Sequence, residues 1–301
     1  MPLGTNQVTT TTAATFIPEV WSDEIVAAYK KNLVAANLIK KMNFKGKKGD
    51  VVHMPAPNRG SASAKAANTQ VTLIAATEGE KTVTINQHWE YSRLIEDIVE
   101  AQALSSLRQF YTDDAGYALA RQVDTSLIQL GRAANGGDGT ANYTGAYSGA
   151  DGTTAYTGTA GALTDAAIRR TIQRLDDNDV PMDGRFLIVP PSTRNTLMGI
   201  ARFTEQAFVG EAGSSNTIRN GEIGNVYGIP VFVTSNADAA TDGDRICLLA
   251  HKDFAVLVEQ MGVRTQTQYK QEYLGTLFTA DVLYGVGELR DNGAVALAVP
   301  A

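Results

Sequence analysis

The chain has 301 residues, 44% hydrophobic and 19% charged, with a formal net charge of −6. That length supplies a sizeable core in one large or two smaller domains, and the apolar content excludes a disordered chain. The acidic balance argues against a dedicated DNA-binding module, and the single cysteine, Cys247, excludes an internal disulfide framework and a cysteine-based zinc site. The charged fraction is also below the roughly 25% of an average domain, which suggests a surface covered in part by something other than water. No run approaches the ~18 apolar residues of a membrane span. The start, Met1-Pro2-Leu3-Gly4-Thr5, lacks the pattern of a signal peptide, so a cytosolic product with no membrane partner is expected.

In chain order, residues 1–15 read as a flexible arm. A helix is expected after Pro18, with Trp21, Ile25, Ala28 or Tyr29, and Leu33 on one face. Five lysines crowd residues 40–48, either an anion contact or a solvated, turn-rich connector, and the connector is the favoured reading. Residues 50–54 form a short strand closed by Pro55 and Pro57, and residues 81–89 alternate as its returning partner. Between them, 58–80 are small and polar, giving an extended hairpin that cannot bury enough apolar surface alone. A stripe through Leu94, Ile98, Ala101, Leu104, Leu107, Tyr111, Ala115 and Ala118 to Leu130 predicts one helix over about 92–132, a rod of roughly 50 Å.

Nine glycines and three Tyr-Thr/Ser-Gly repeats in 131–161 predict a surface loop. A helix capped by Thr164 buries Ile168, Ile172 and Leu175, and Asp176-Asp177-Asn178-Asp179 ends it. Arg185–Val189 reads as a buried strand, followed by a helix from Ser192 to about Phe203. Ile229–Val233, Arg245–Leu249, Thr276–Tyr284 and Ala294–Val299 read as further strands. The class is α+β.

Chemistry is sparse. His53, His88 and His251 are scattered, without a second metal ligand at helical spacing. The run Asp176–Asp179 has the composition of a calcium loop, but Pro181 breaks its alternation and no glycine sits at the turn. Gly221-Glu222-Ile223-Gly224-Asn225-Val226-Tyr227-Gly228 is neither GxGxxG nor a Walker A loop, and it precedes a strand instead of opening a helix, so it reads as turns needing positive φ. Cys247 lies in an apolar strand near Arg245 alone. No catalytic, cofactor-binding or metal residue is assigned, and no enzyme is expected.

Three segments carry a resemblance: Gly184-Arg185-Phe186-Leu187-Ile188-Val189-Pro190-Pro191-Ser192-Thr193, the Gly228-Ile229-Pro230-Val231 region running to Asn236, and the ending from Leu248 through Tyr284–Arg290 to Val299. With the order arm, hairpin, long helix and mixed body, the chain resembles tailed-bacteriophage major capsid proteins of the Hong Kong 97 type over nearly its whole length. The order of elements carries the likeness more than any one motif. The resemblance implies an N-arm with a short helix (1–45), an E-loop (46–90), a peripheral P-domain (91–185 and 258–285) containing the spine helix, and an axial A-domain (186–257 and 286–301). It implies self-assembly into hexameric and pentameric capsomers of an icosahedral head, procapsid maturation, and double-stranded DNA held by non-specific proximity. It also implies a portal and a decoration or cement protein as partners. Because the arm starts almost at Met1, a separate scaffolding protein is expected. In some relatives a lysine of the E-loop is joined covalently to a neighbour. Here Lys65 lies among Ser63, Ala64, Ala66 and Ala67, which neither exclude water nor take a proton, so no such bond is expected. The alternatives are an encapsulin-type nanocompartment shell and a soluble enzyme whose site is too diffuse to read.

Overall fold

The computed structural model describes residues 33–57, 60–71, 73, 78–98, 107–200 and 224–301. The expected arm and the helix after Pro18 lie outside the described residues, as do Gly221–Ile223 and parts of the hairpin tip. One sheet is a four-stranded ribbon. In it β1 (Lys40–Asn43) pairs in parallel with β10 (Ala255–Lys270), β10 with β11 (Gly275–Glu288), and β11 with β4 (Gln87–Glu96). A second, six-stranded sheet runs in the order β5 (Tyr147–Ser148), β12 (Ala294–Val299), β9 (Arg245–His251), β6 (Arg185–Val189), β8 (Ile229–Val233) and β7 (Asn225–Val226). Every residue of β6 and β12 is buried, which is why both read as unbroken apolar runs instead of alternating ones. A separate antiparallel hairpin joins β2 (Val51–Pro57) to β3 (Glu78–Thr84).

Helices cover one face of each large sheet. A one-turn α1 (Ala35–Leu38) precedes β1, and α2 (Leu107–Gln129) lies along the ribbon, placing Ala115, Leu119, Leu127 and Ile128 against Phe278, Ala280, Val282 and Tyr284. On the six-stranded sheet, α3 (Asp165–Asp177) and α4 (Pro191–Met198) bury Ile168, Leu175 and Leu197 against Leu187, Leu249 and Leu297. The expected cap holds: the Thr164 side chain accepts the Ala167 N–H at 3.2 Å. One fully buried carboxylate, Asp124 of α2, accepts the N–H groups of Val34 (3.1 Å) and Ala35 (2.7 Å) and the side-chain amide of Asn236 (3.0 Å). It pins the start of α1, and hence β1, to both sheets.

Five expectations change. Residues 92–96 belong to β4, not to the long helix, because they pair in register with β11; Ile95 is buried there, while Leu94 and Ile98 are exposed. The described helix of 23 residues is about 35 Å long. Asp97 and Ile98 are helical, residues 99–106 lie outside the described residues, and the 16-residue β10, at about 3.3 Å per residue, is a second long element of roughly 50 Å. Lys40–Asn43 is an edge strand; its lysines stay exposed while its backbone pairs with β10, so composition hid it. Pro55 and Pro57 continue β2 instead of closing it, which a two-stranded hairpin tolerates because each strand has a free edge. The returning strand breaks at Ile85–Asn86 into β3 and β4. The helix after Pro190 ends at Met198, with Gly199 as its cap.

The glycine-rich 131–161 segment is not a plain surface loop. Its Tyr143 and Tyr156 are buried with Ala146 against Ile246, Ala296 and Ala298. Their hydroxyls donate to Asp238 (2.5 Å) and Asp244 (3.0 Å), and Arg132 closes on Asp238 with two bonds of 2.7 and 3.0 Å. Satisfied phenols let a Gly/Thr-rich segment pack as a layer over β12 and β9.

Candidate assembly surfaces

Among the described residues, the hairpin is packed at one end and exposed at the other. At its foot Val52, Val83 and Ile85 pack with Val256 and Val258 of β10. Two glycines of β11 make the seat: a Cβ on Gly285 would lie 2.6 Å from the Thr84 carbonyl oxygen, and one on Gly287 would lie 2.5 Å from Val83 Cγ2. Only glycine allows β3 to come this close. Beyond the foot, Val83 is the single buried residue of β3, and every described residue from 60 to 73 is exposed, Leu73 to 91%. Val71 and Leu73 thus leave apolar side chains exposed at the tip, which makes it a candidate contact surface.

A second apolar surface lies at the far end of the ribbon. Leu94 and Ile98, at and just beyond the end of β4, and Tyr269, Tyr273 and Leu274, around the β10–β11 turn, are all exposed; Leu274 adopts the left-handed φ of 44°. The Tyr269 hydroxyl ties that turn to the end of β4 by donating to Asp97 at 2.8 Å. Between the hairpin foot, β1 and the turns after α3 and β11 runs a cleft of about 1040 Å³, lined by Lys40, Met42, Met54, Lys81, Val180 and Arg290 among others.

The side chains singled out for chemistry are dispersed. His53 faces solvent beside Glu80 (3.1 Å), and His88 lies 3.4 Å from Asp281. His251 is buried, its Nε2–H donating to the Asp183 carbonyl (2.8 Å) while Nδ1 accepts the Asp253 N–H (3.2 Å), which fixes one neutral tautomer. Asp176 closes on the buried Arg185 at 2.7 Å, so its partner is a guanidinium and not a calcium ion. Among the described residues no three His, Cys, Asp or Glu side chains could together hold a metal ion. Burial pushes the Cys247 thiol up to about 12, so it is inert. Tyr227 and Gly228 both take positive φ (52° and 80°) in the two-residue turn between β7 and β8, as the glycine-rich stretch required. Two features escaped the sequence reading. One is the Gly285/Gly287 seat, whose signal was two glycines inside a strand. The other is Glu288, whose Oε1 is buried without a hydrogen-bond partner and whose carboxyl is raised to about 7, first by burial.

A family model described as phage capsid protein matches residues 80–297, well over half of the chain. The chain belongs to the phage capsid protein family. Its fold is shared with solved capsid proteins. A structure of Mycobacterium phage Che8 superposes with a TM-score of 0.76 at 24% identity, over 94% of this chain and 97% of that one. The capsid of cyanophage P-SCSP1u gives 0.75 at 20% identity, over 99% and 96%. The capsid of a native GTA particle gives 0.67 at 12%, over 99% and 100%. No curated protein matches the sequence. The α+β fold is of the Hong Kong 97 type, as the order of elements implied, and the chain is a phage capsid protein. It is a structural protein of the virion, and neither alternative reading is favoured.

Proposed function

We propose that the coat protein closes head-to-tail into hexameric and pentameric capsomers, each hairpin lying on the next subunit, and that these enclose double-stranded DNA. The exposed tip on its glycine seat supports this reading most directly. A surface that differs from the one it covers generates rings, as closed cyclic assembly requires. Residues 91–185 with 258–285 serve as the P-domain and 186–257 with 286–301 as the A-domain, the ribbon falling largely in the first and the six-stranded sheet in the second. The subunit has no catalytic role. Assembly takes place in the host cytoplasm on a separate scaffolding protein, with a portal at one vertex and a decoration or cement protein on the finished shell. DNA is held by proximity, since each subunit carries a net charge of −6. Electron microscopy of particles from cells expressing the chain with its neighbouring head proteins tests this. Closed shells with five- and six-fold capsomers are expected, and DNA with a portal vertex separates a phage head from an encapsulin shell. A monodisperse small oligomer at every concentration and salt overturns it.

A further inference from the structure

The foot of the hairpin holds a buried carboxyl oxygen with no hydrogen-bond partner among the described residues. Glu288 ends β11, paired with Ala255 of β10, directly after the Gly287 on which Val83 rests. Its Oε1 is buried and has no hydrogen-bond partner, whereas a buried carboxylate needs one. Among the described residues, few charges act on it. Lys81 on β3 favours the ionised form, and Asp291 on the following turn opposes it. Asp291 is already engaged, accepting the Gly136 N–H at 2.8 Å. The adjoining cleft adds Lys40 from β1, Asp179 from the turn after α3, His251 and Asp253 from the turn before β10, and Arg290. Lys81 is thus the cation whose movement would also move the hairpin, because it shares a face of β3 with Val83.

We propose that Glu288 is an ionisation latch that sets the angle of the hairpin. Neutral, it leaves β3 in the seat described above. Ionised, the carboxylate draws Lys81 inward and swings β3, carrying the exposed tip to a second position. The burial that raises this carboxyl to about 7 places the switch near neutral pH. Because the folded value lies above the ordinary glutamate value, the seated state is favoured below the ordinary range and loses that advantage as pH rises through about 7. The latch belongs to the folded subunit and stands whether or not the ring geometry above is right.

Spin labels test it on the unassembled full chain. Ala66→Cys at the tip and Gln173→Cys on α3 are exposed positions, while the native Cys247 is fully buried. The distance distribution between the labels should move when pH is raised from about 5.5 to about 8.5, across the titration. The movement should vanish in Glu288→Gln, which is locked as neutral, and in Lys81→Met, which has nothing to draw in. An unchanged distribution in the parent chain, or a shift that persists in Glu288→Gln, overturns the proposal. Carbon-13 titration of the Glu288 carboxyl in the parent chain gives a reading independent of any variant. A midpoint near 7 supports the latch, and one in the ordinary range of about 4 to 5 overturns it.

Discussion

At the scale of single residues, the strongest constraints are buried charges with several partners. Asp124 accepts three hydrogen bonds from α1 and Asn236, so its removal strands three donors in the interior. Asp124→Ala should destabilise the subunit by about 3 kcal/mol, read as a lower urea midpoint, with Asp124→Asn recovering only part of the loss. Asp281 is held below the usual carboxylate range, chiefly by its hydrogen bond from Arg264, with His88 adding to the effect. A depressed carboxyl contributes stability above its unfolded value and loses it as pH falls through the folded one. Acid unfolding of Asp281→Asn should therefore show a shallower slope below about pH 4 than the parent. A parallel slope would mean that the Arg264 contact does not survive in solution.

At the scale of elements, the glycine seat makes a sharp test. Gly287→Ala places a methyl 2.5 Å from Val83 Cγ2, so the hairpin must lift. The expected cost is about 1–3 kcal/mol, with faster proteolysis within 60–71. Replacing residues 60–73 by a short Gly-Ser turn should instead leave the melting of the subunit within about 0.5 kcal/mol of the parent, because every described residue there is exposed, yet closed shells should fail to form. Normal shells from that variant would remove the tip from assembly. The same contrast explains what could be read in advance. Strands β6 and β12 and the Thr164 cap were legible, because two-sided burial and capping leave local marks. The hairpin was legible as two alternating runs around a polar tip. Ser92–Glu96 was not, because Leu94 falls in the helical spacing of the stripe that follows, and only pairing with β11 decides its state. Tyr143 and Tyr156 misled for a related reason: the aspartates that satisfy their hydroxyls lie about ninety residues further along the chain.

At the scale of the whole molecule, surfaces left uncovered in one subunit imply stability that depends on neighbours. Shells should melt well above free subunits, since binding only the folded state raises apparent stability; equal melting temperatures would mean that the tip and the Tyr273–Leu274 end of the ribbon are not contacts. Mature particles boiled in denaturant should run as single chains of 32.1 kDa, because Lys65 stands exposed at the tip. A ladder that disappears in Lys65→Ala would contradict this. The parallel pairing of β1 with β10 has a consequence for synthesis. Lys40 meets Val256, more than two hundred residues later, so the first edge of the ribbon has no partner until most of the chain has left the ribosome. At about 5–20 residues per second that wait is roughly 10–40 s, during which an apolar, partly built coat subunit sits among its own copies. Translation speed and chaperone supply, as much as the finished interfaces, then set how many subunits reach a growing shell in usable form.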